Sequence, residues 1–387
     1  MAENIPNHIL VVDDEPDLEI LMKQRMRREV RRGELVLSFA QNGSQALEIL
    51  KENNKIQIVL SDINMPVMDG LTMLEKIPSI DDKIKTVMIS AYGDMKNIRH
   101  AMNRGAFDFI TKPVDFEDLK ITIDRTNRRV AFEHELHENR EKLISIQSEL
   151  ETASAMQQSI LPRIFPVGEN FQIDASMDAA REIGGDFYDV VKRRGNQIGL
   201  CIADVSGKGI PAALFMMSSR TLLNGASIGM EEPEKVLREV NDLLEISNES
   251  MMFVTLFYAV FDPTTRCIHY SNGGHNQPIV FRADGSVYEL ETSRGVALGV
   301  ARGVEFESSS LELQPGEVLL LYTDGVNEAE RGDASFFGME RLMQVFDGKP
   351  PPKNAKQVTE TVFAKVREFT DGNEPSDDIT CLVLCVS

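Results

Sequence analysis

The sequence predicts two differently built domains joined by a helix: an α/β doubly wound parallel five-stranded domain, a helical coiled-coil linker, and an α+β sandwich. Three observations carry this. Between residues 8 and 124 five short apolar runs alternate with amphipathic segments, the pattern of a parallel sheet with crossover helices on its faces. From Phe116 to Ile160 there is no proline and no glycine, and charge is dense. From 168 to 387 strand-like runs follow one another across turns, with helices grouped between them, which is the rhythm of a sandwich rather than of a second doubly wound sheet.

Composition bounds the rest. A chain of 387 residues is long enough for two or three domains, and 42% hydrophobic content is ordinary for a soluble protein. No apolar run approaches the roughly 20 residues a membrane span needs, and the N-terminus lacks a basic-then-apolar leader, so a cytoplasmic protein with no membrane contact is expected. Cys201, Cys267, Cys381 and Cys385 lie in apolar runs without zinc-type spacing and read as reduced, structural thiols. A formal charge of −20 argues against unspecific binding to nucleic acid or anionic lipid.

In the first domain, "HILVVDD" reads as a buried strand ending in two acids and "PDLEILMKQRMRREV" as the helix after it. There follow in alternation "LVLSFA", "SQALEILKE", "IQIVLSD", "DGLTMLEKI", "KTVMISA", "DMKNIRHAMNRG" and "FDFITKP". Such sheets bind ligands at the carboxyl ends of their strands. Asp13 and Asp14 end the first strand, Asp62 the third, Ser90 the fourth and Lys112 the fifth. Three carboxylates at one edge repel one another unless a cation joins them, and hard oxygen ligands in a partly hydrated site suit Mg²⁺. A metal beside a carboxylate, with a lysine for the phosphoryl oxygens, is what an aspartyl-phosphate needs. One acidic pair would read as solvated surface; five polar residues at the ends of four of the five strands do not.

The segments "VVDDE", "LSDINMPVMDG", "ISAYGD" and "GAFDFITKP" resemble the receiver domain of two-component response regulators, over residues 6–125. The resemblance implies that Asp62 is the phosphoacceptor and a metal ligand together with Asp13, Asp14 and the backbone carbonyl of Asn64. It also implies that Ser90 and Lys112 contact the phosphoryl group, that Phe109 is the aromatic switch, and that a histidine kinase is the partner. Lys112–Pro113 is a candidate cis peptide.

In the linker, residues 126–162, Leu143, Ile146, Leu150, Ala153, Gln157 and Ile160 recur at steps of three and four, extended upstream through Leu136. This is a coiled-coil seam and predicts a parallel homodimer. An earlier register, Ile123–Val130, joins it only through a slip near residues 130–136, where a helix pair can have two packings. The plainer reading is one amphipathic helix lying on its own domain. Pro162 and Pro166 end the helix.

The last domain, residues 163–387, carries strand-like runs such as "QIGLCIADV", "FVTLFYAVFD" and "EVLLLYTDGV", with helices at "IPAALFMMSSRTLLNGA", "PEKVLREVNDLLEISNE", 338–346 and 355–370. Asp186 precedes a strand, Asp204 and Asp324 end strands, and Asp377 and Asp378 precede one. No histidine or cysteine joins them at ligand spacing, so zinc is excluded, and an all-carboxylate cluster favours Mg²⁺ or Mn²⁺. Four acids around two such ions make a site that activates water against a phosphate ester. The stretch "GGDFYD" is not a diguanylate-cyclase signature, because Phe187 stands where that needs an acid.

The ordered motifs "MQQSILP", "EIGGDFYD", "IADVSGKGIPAAL", "NGGHNQP", "LYTDGVNEA" and "PSDDIT" resemble the metal-dependent protein phosphatases of the protein phosphatase 2C superfamily, in their SpoIIE-like and RsbU-like branch. The resemblance implies an αββα sandwich. It assigns Asp186, Asp204, Asp324 and Asp377 as ligands of two ions, Mn²⁺ or Mg²⁺, with a backbone carbonyl near Val205 assisting and Asp204 central to catalysis. Asp377 is preferred to Asp378, and Asp189 is a weaker candidate. His275 reads as turn-stabilising rather than as a proton donor, Lys208 equally as a phosphate contact or as solvated, and the methionines near Phe215–Met217 as core.

The expectation is therefore a response regulator in which phosphorylation of Asp62 controls hydrolysis of phosphoserine or phosphothreonine by a two-metal activated water. The implied substrate is a phosphorylated anti-sigma-factor antagonist of the STAS type. The alternative is an adaptor with a dead phosphatase fold that binds a sigma factor or its regulator. Against it, all four ligand positions are acidic. A DNA-binding output is disfavoured because no basic recognition helix follows the first domain.

Overall fold

A computed structural model of the chain describes residues 7–91, 94–246, 248–293 and 295–387. Pro6, where the first domain is expected to begin, and Tyr92 and Gly93 of "ISAYGD" lie outside the described residues. The described chain falls into two compact units divided between Ser145 and Ile146.

In the first unit the alternation takes the form β1 (Asn7–Val12), α1 (Pro16–Arg25), α2 (Arg27–Arg31), β2 (Leu35–Ala40), α3 (Gly43–Glu52), β3 (Ile56–Asp62), α4 (Gly70–Lys76), β4 (Lys85–Ala91), α5 (Met95–Asn103) and β5 (Asp108–Lys112). All strand pairs are parallel, in the order β2-β1-β3-β4-β5. The strand runs are continuously apolar because both faces are covered: Ile9 and Val11 join the core on one side, Leu10 and Val12 that on the other. The chain order reverses about β1 and β3, so the carboxyl ends of β1, β3, β4 and β5 frame one crevice. The Lys112–Pro113 bond is cis.

Helix α6 (Phe116–Ile160) is unbroken through the expected register slip. Its first turns bury Leu119 and Ile123 against the β1–β3 core. Polar pairs hold the same stretch: Lys120 with Glu29 at 3.2 Å, Glu133 with Lys85 at 2.6 Å, and Arg125 with Asp108. Phe132, Leu136, Leu143, Ile144 and Ile146 are exposed. The end of the seam is used differently. Gln157 is buried in the second unit and Ile160 packs on that unit's core, so these two positions are not left free for a partner helix.

The second unit contains β6 (Phe171–Asp178), β7 (Phe187–Lys192), β8 (Ile198–Val205), α7 (Ile210–Gly229), α8 (Pro233–Ile246), β9 (Val254–Asp262), β10 (Cys267–Gly273), β11 (Ile279–Phe281), β12 (Val287–Glu289), β13 (Ser308–Glu312), β14 (Val318–Tyr322), α9 (Asp324–Asn327), α10 (Gly338–Met343), α11 (Ala355–Thr370) and β15 (Ile379–Val386). Two antiparallel sheets form, β13-β10-β9-β8-β7 and β12-β11-β14-β15-β6. Their inner faces, with Leu200, Ile202, Phe257, Leu319, Leu321, Leu382 and Leu384, share one core that the α7–α8 pair also joins. The alternate residues Val318, Leu320, Tyr322, Cys381 and Val383 face a second core under α10 and α11. Each sheet thus has a helix layer on its outer side, the αββα arrangement, and doubly buried β14 and β15 read as unbroken apolar runs. Strand β6 carries polar residues at every second position, and β13 is largely exposed, so neither gives a clean apolar signal. Cys201, Cys381 and Cys385 are buried free thiols.

Candidate functional site

The five parallel strands bring the first set of residues together. Asp13 follows β1 directly, Asp62 ends β3, and ligand atoms of Asp13, Asp14 and Asp62 all lie within 4.8 Å of one another. Lys112 Nζ donates to Asp62 Oδ2 at 2.9 Å and to Asp13 Oδ2 at 3.1 Å. Burial alone would lower the Lys112 pKa, but these carboxylates outweigh it and hold the ammonium above the ordinary lysine value. Asp62 Oδ1 accepts from Ile63 N at 2.7 Å, and Asp13 Oδ1 from Glu15 N at 2.8 Å. Among the described residues, Ser90 Oγ is buried without a hydrogen-bond partner. Asn64 lies two residues beyond β3, and Phe109 of β5 is 38% exposed. The donor set, oxygen-only with an exposed Asp14, fits a hydrated divalent cation.

The second set lies in the sandwich. Asp186 enters β7, Asp204 and Val205 close β8, Asp324 opens α9 just after β14, and Asp377 and Asp378 lead into β15. Burial pushes the Asp186 pKa well up, with Asp204 and Asp378 adding to the effect. Asp204 is raised to about 7, first by burial and then by the charges of Asp324 and Asp377; Asp324 is raised by burial and by Asp377. A buried acid cluster that would rather bind protons is a cluster built to receive cations. Among the described residues its ligand atoms are spread more widely than in the first site, which alone gathers three within 4.8 Å. Carboxylates and a backbone carbonyl fit hard divalent ions here as well.

Several supports of this cluster are not acids, and sequence reasoning passed over them. Thr323 and Thr380 both donate their hydroxyls to Asp186 Oδ2, at 2.7 and 2.6 Å. The two threonines are tied together, with Thr380 N donating to Thr323 Oγ1 at 3.1 Å and Thr323 N to Thr380 O at 3.1 Å. The signal was in the motifs "LYTDGV" and "DDIT", which were read for their acids only.

Asp377 and Asp378 are separated by their surroundings. Asp378 accepts from the backbone N–H of Ala180 at 2.8 Å, Gly185 at 2.6 Å and Asp186 at 3.3 Å. It fastens the loop before β7 with both oxygens. Asp377 is half-exposed at the rim, its Oδ2 2.9 Å from Lys208 Nζ, which also donates to Ser376 O at 2.5 Å. Lys208 is therefore neither free nor merely solvated. Asp189 does not join the cluster: its buried carboxylate accepts from Asn224 Nδ2 at 2.8 Å and lies 2.9 Å from Arg220 Nε, both on α7. Gly325 lets α9 start against β15, since a Cβ there would sit 2.1 Å from Asp378 O.

His275 is buried, and burial lowers its pKa to about 4, so it is neutral at pH 7. Asn272 Oδ1 accepts from His275 N at 2.7 Å and Asn272 Nδ2 donates to His275 O at 2.9 Å, closing the glycine turn. The ring Nδ1 lies 2.8 Å from Thr255 Oγ1, opposite Asp204 in the β8–β9 pair. This agrees with a turn-stabilising histidine.

Fold and site together define a receiver-type α/β domain followed by an αββα domain of the protein phosphatase 2C fold. Residues 9–124 match the response regulator receiver domain, and residues 194–387 match the family described as stage II sporulation protein E. The latter match covers half of the chain, and the chain belongs to the SpoIIE family. Protein IcfG of Synechocystis is 30% identical over 61% of this chain and 41% of its own length. Phosphoserine phosphatase RsbU of Bacillus subtilis is 29% identical over 62% of this chain and 70% of its own. The chain thus spans less than half the length of IcfG. The solved SiaA-PP2C domain of Pseudomonas aeruginosa shares the fold, with 23% identity, a TM-score of 0.55, and coverage of 64% of this chain and 99% of that one. Among the described residues no helix is long and apolar enough to cross a membrane.

Proposed function

We propose that this chain is a cytoplasmic, receiver-controlled phosphatase that hydrolyses phosphoserine or phosphothreonine on a partner protein. The observation that carries the reading is the cluster of buried Asp186 with partly buried Asp204 and Asp324, whose pKa values are all raised. Asp186, Asp204, Asp324 and Asp377 hold two ions, Mn²⁺ or Mg²⁺, with the carbonyl of Val205. When bound, the ions supply charge to stabilise the phosphoryl oxygens and to make a water acidic.

The reaction is hydrolysis. A water oxygen bonds to phosphorus, the ester P–O bond breaks, and the proton that the water gives up to Asp204 passes on to the departing serine or threonine oxygen. Within the chain, Asp204 orients and deprotonates the water, Asp186 is fixed by its two threonines, and Asp377 is presented by Lys208 and the Asp378-fastened loop. The SpoIIE-family membership and the name of RsbU support a phosphoserine substrate. We assign the partner as a phosphorylated anti-sigma-factor antagonist of the STAS type.

Control resides in residues 6–125. Asp62 accepts a phosphoryl group from a histidine kinase, with Asp13, Asp14 and the Asn64 carbonyl holding Mg²⁺, and with Ser90 and Lys112 receiving the phosphoryl oxygens. Phe109 then turns inward, and the linker, residues 126–162, carries the change as a homodimeric coiled coil to residues 163–387. The exposed Leu136, Leu143 and Ile146 support pairing of that helix with a second copy. The test is Mn²⁺- or Mg²⁺-dependent phosphate release from a phosphoserine protein, comparing wild type with Asp204→Ala. Release abolished by the substitution and by chelator is expected; no release on a physiological substrate points to the adaptor instead. Unchanged basal and acetyl-phosphate-stimulated rates in Asp62→Ala would sink the coupling.

A further inference from the structure

Gln157 occupies a seam position in the sequence pattern, yet its side chain is 4% exposed and is spent inside the second unit. Its Nε2 donates to Gly184 O at 2.6 Å, and its Oε1 accepts from Gly184 N at 3.1 Å. One carboxamide thereby satisfies both polar groups of one peptide residue, in the manner of a single strand pairing. Gly184 is closely packed where its side chain would stand. A Cβ on it would sit 2.4 Å from Met177 Cε and 2.5 Å from Asp378 Oδ2, so the loop is gripped from two sides. Two residues further on stands Asp186, whose Oδ2 is already committed to Thr323 and Thr380. A shift of Gly184 is therefore passed to Asp186 through a short and closely packed stretch of backbone.

We propose that Gln157 is a positioning residue of the phosphatase site: from the last turn of α6 it sets the Gly184–Gly185–Asp186 loop, and through it the ability of Asp186 to hold a metal ion. This rests on the phosphatase reading above and names the residue through which the helix acts on that site. The same side chain cannot face a partner helix in a seam and span Gly184. The helix thus has two uses for position 157, and only one of them holds the loop. A buried amide with both ends satisfied is well suited to such a choice, because leaving Gly184 without a replacement exposes two unpaired backbone groups.

The test uses the full chain, freed of metal, with Gln157→Glu and Gln157→Ala and with the neighbouring exposed Gln158→Ala as control. Glu keeps the shape but sets an oxygen against the Gly184 carbonyl; Ala removes the bridge with less disturbance. Mn²⁺ binding is measured by calorimetry without substrate, and phosphate release is measured across a Mn²⁺ titration. The expected result is Mn²⁺ affinity weakened by on the order of tenfold in both variants, the scale on which outer supports of metal ligands act. Phosphate release should return as Mn²⁺ is raised, and Gln158→Ala should behave as wild type. A residue that merely stabilises the fold would lower the thermal midpoint and leave the Mn²⁺ constant alone. That outcome, in whichever variant folds, overturns the proposal. A wild type that neither binds Mn²⁺ nor releases phosphate overturns the phosphatase reading instead, and this inference with it.

Discussion

The two acidic sites of this chain solve opposite electrostatic problems. In the first unit Lys112 stands 2.9 Å from Asp62 and 3.1 Å from Asp13, a cation built into the carboxylates. In the second, Asp186 is buried, Asp204 and Asp324 are partly buried, all three have raised pKa values, and the lysine nearby meets Asp377 at the half-exposed rim. A site that gains and loses a phosphoryl group keeps a fixed countercharge for both states. On the proposed reading the second site instead secures Asp186 with two neutral hydroxyls, which orient its charge without cancelling it.

The sharpest way to break this contrast is at Asp204. Asp204→Ala is expected to reduce phosphate release by at least about a hundredfold, the scale of losing a charged group at a reactive centre. Asp62→Asn should leave the basal rate intact and remove only the response to acetyl phosphate. Steady-state assays with and without acetyl phosphate check both.

Next come the threonines. Thr323→Val with Thr380→Val should weaken Mn²⁺ binding by roughly 10–100-fold, while the paired serine variants retain it. Calorimetry on the metal-free chain decides this. If the valine pair binds as wild type does, the neutral supports are not what holds Asp186 ready.

On the receiver side, Lys112→Ala removes the built-in cation. The structure leads us to expect tighter Mg²⁺ binding, by a few-fold, together with slower phosphorylation by acetyl phosphate; the two are read by fluorescence titration and by phosphate-affinity gels. Looser Mg²⁺ binding would contradict the countercharge role.

The last prediction concerns stability rather than binding, and it falls on His275. Its folded pKa of about 4 lies below the ordinary histidine value. Its neutral burial therefore contributes stability that is fully present above about pH 6.5 and is lost as pH falls towards 4. Between pH 7 and pH 5 this amounts to about 2 kcal/mol in a domain otherwise unchanged. Urea midpoints of His275→Gln should accordingly fall less over that interval than those of wild type.

Much of this was legible from residues alone. The receiver strands are doubly buried, so their apolar runs and the polar residues ending them announced the crevice. In the sandwich, β8, β9, β14 and β15 were visible for the same reason. Strand β6 was not, because its alternating Gln172, Asp174 and Ser176 look like loop to a reader seeking continuous apolar runs. The sequence offers Asp186, Asp204, Asp324 and Asp377 as candidates through their motifs, whereas nothing in it marks Thr323, Thr380 or Gln157 as supports of the site. Their roles depend on hydrogen bonds across 57 to 194 residues of sequence or to a loop 27 residues away, and no local pattern encodes such a partner. Asp189 shows the converse: an acid in the right motif whose charge is consumed by Arg220.

The threonine pair on Asp186 also bears on how such chains would decay. A descendant in which both positions drifted to valine would keep its four aspartates, its glycines and its fold. Counted by acids it would look unchanged; the bonds to Asp186 Oδ2 alone would tell that its hold on a metal ion had loosened.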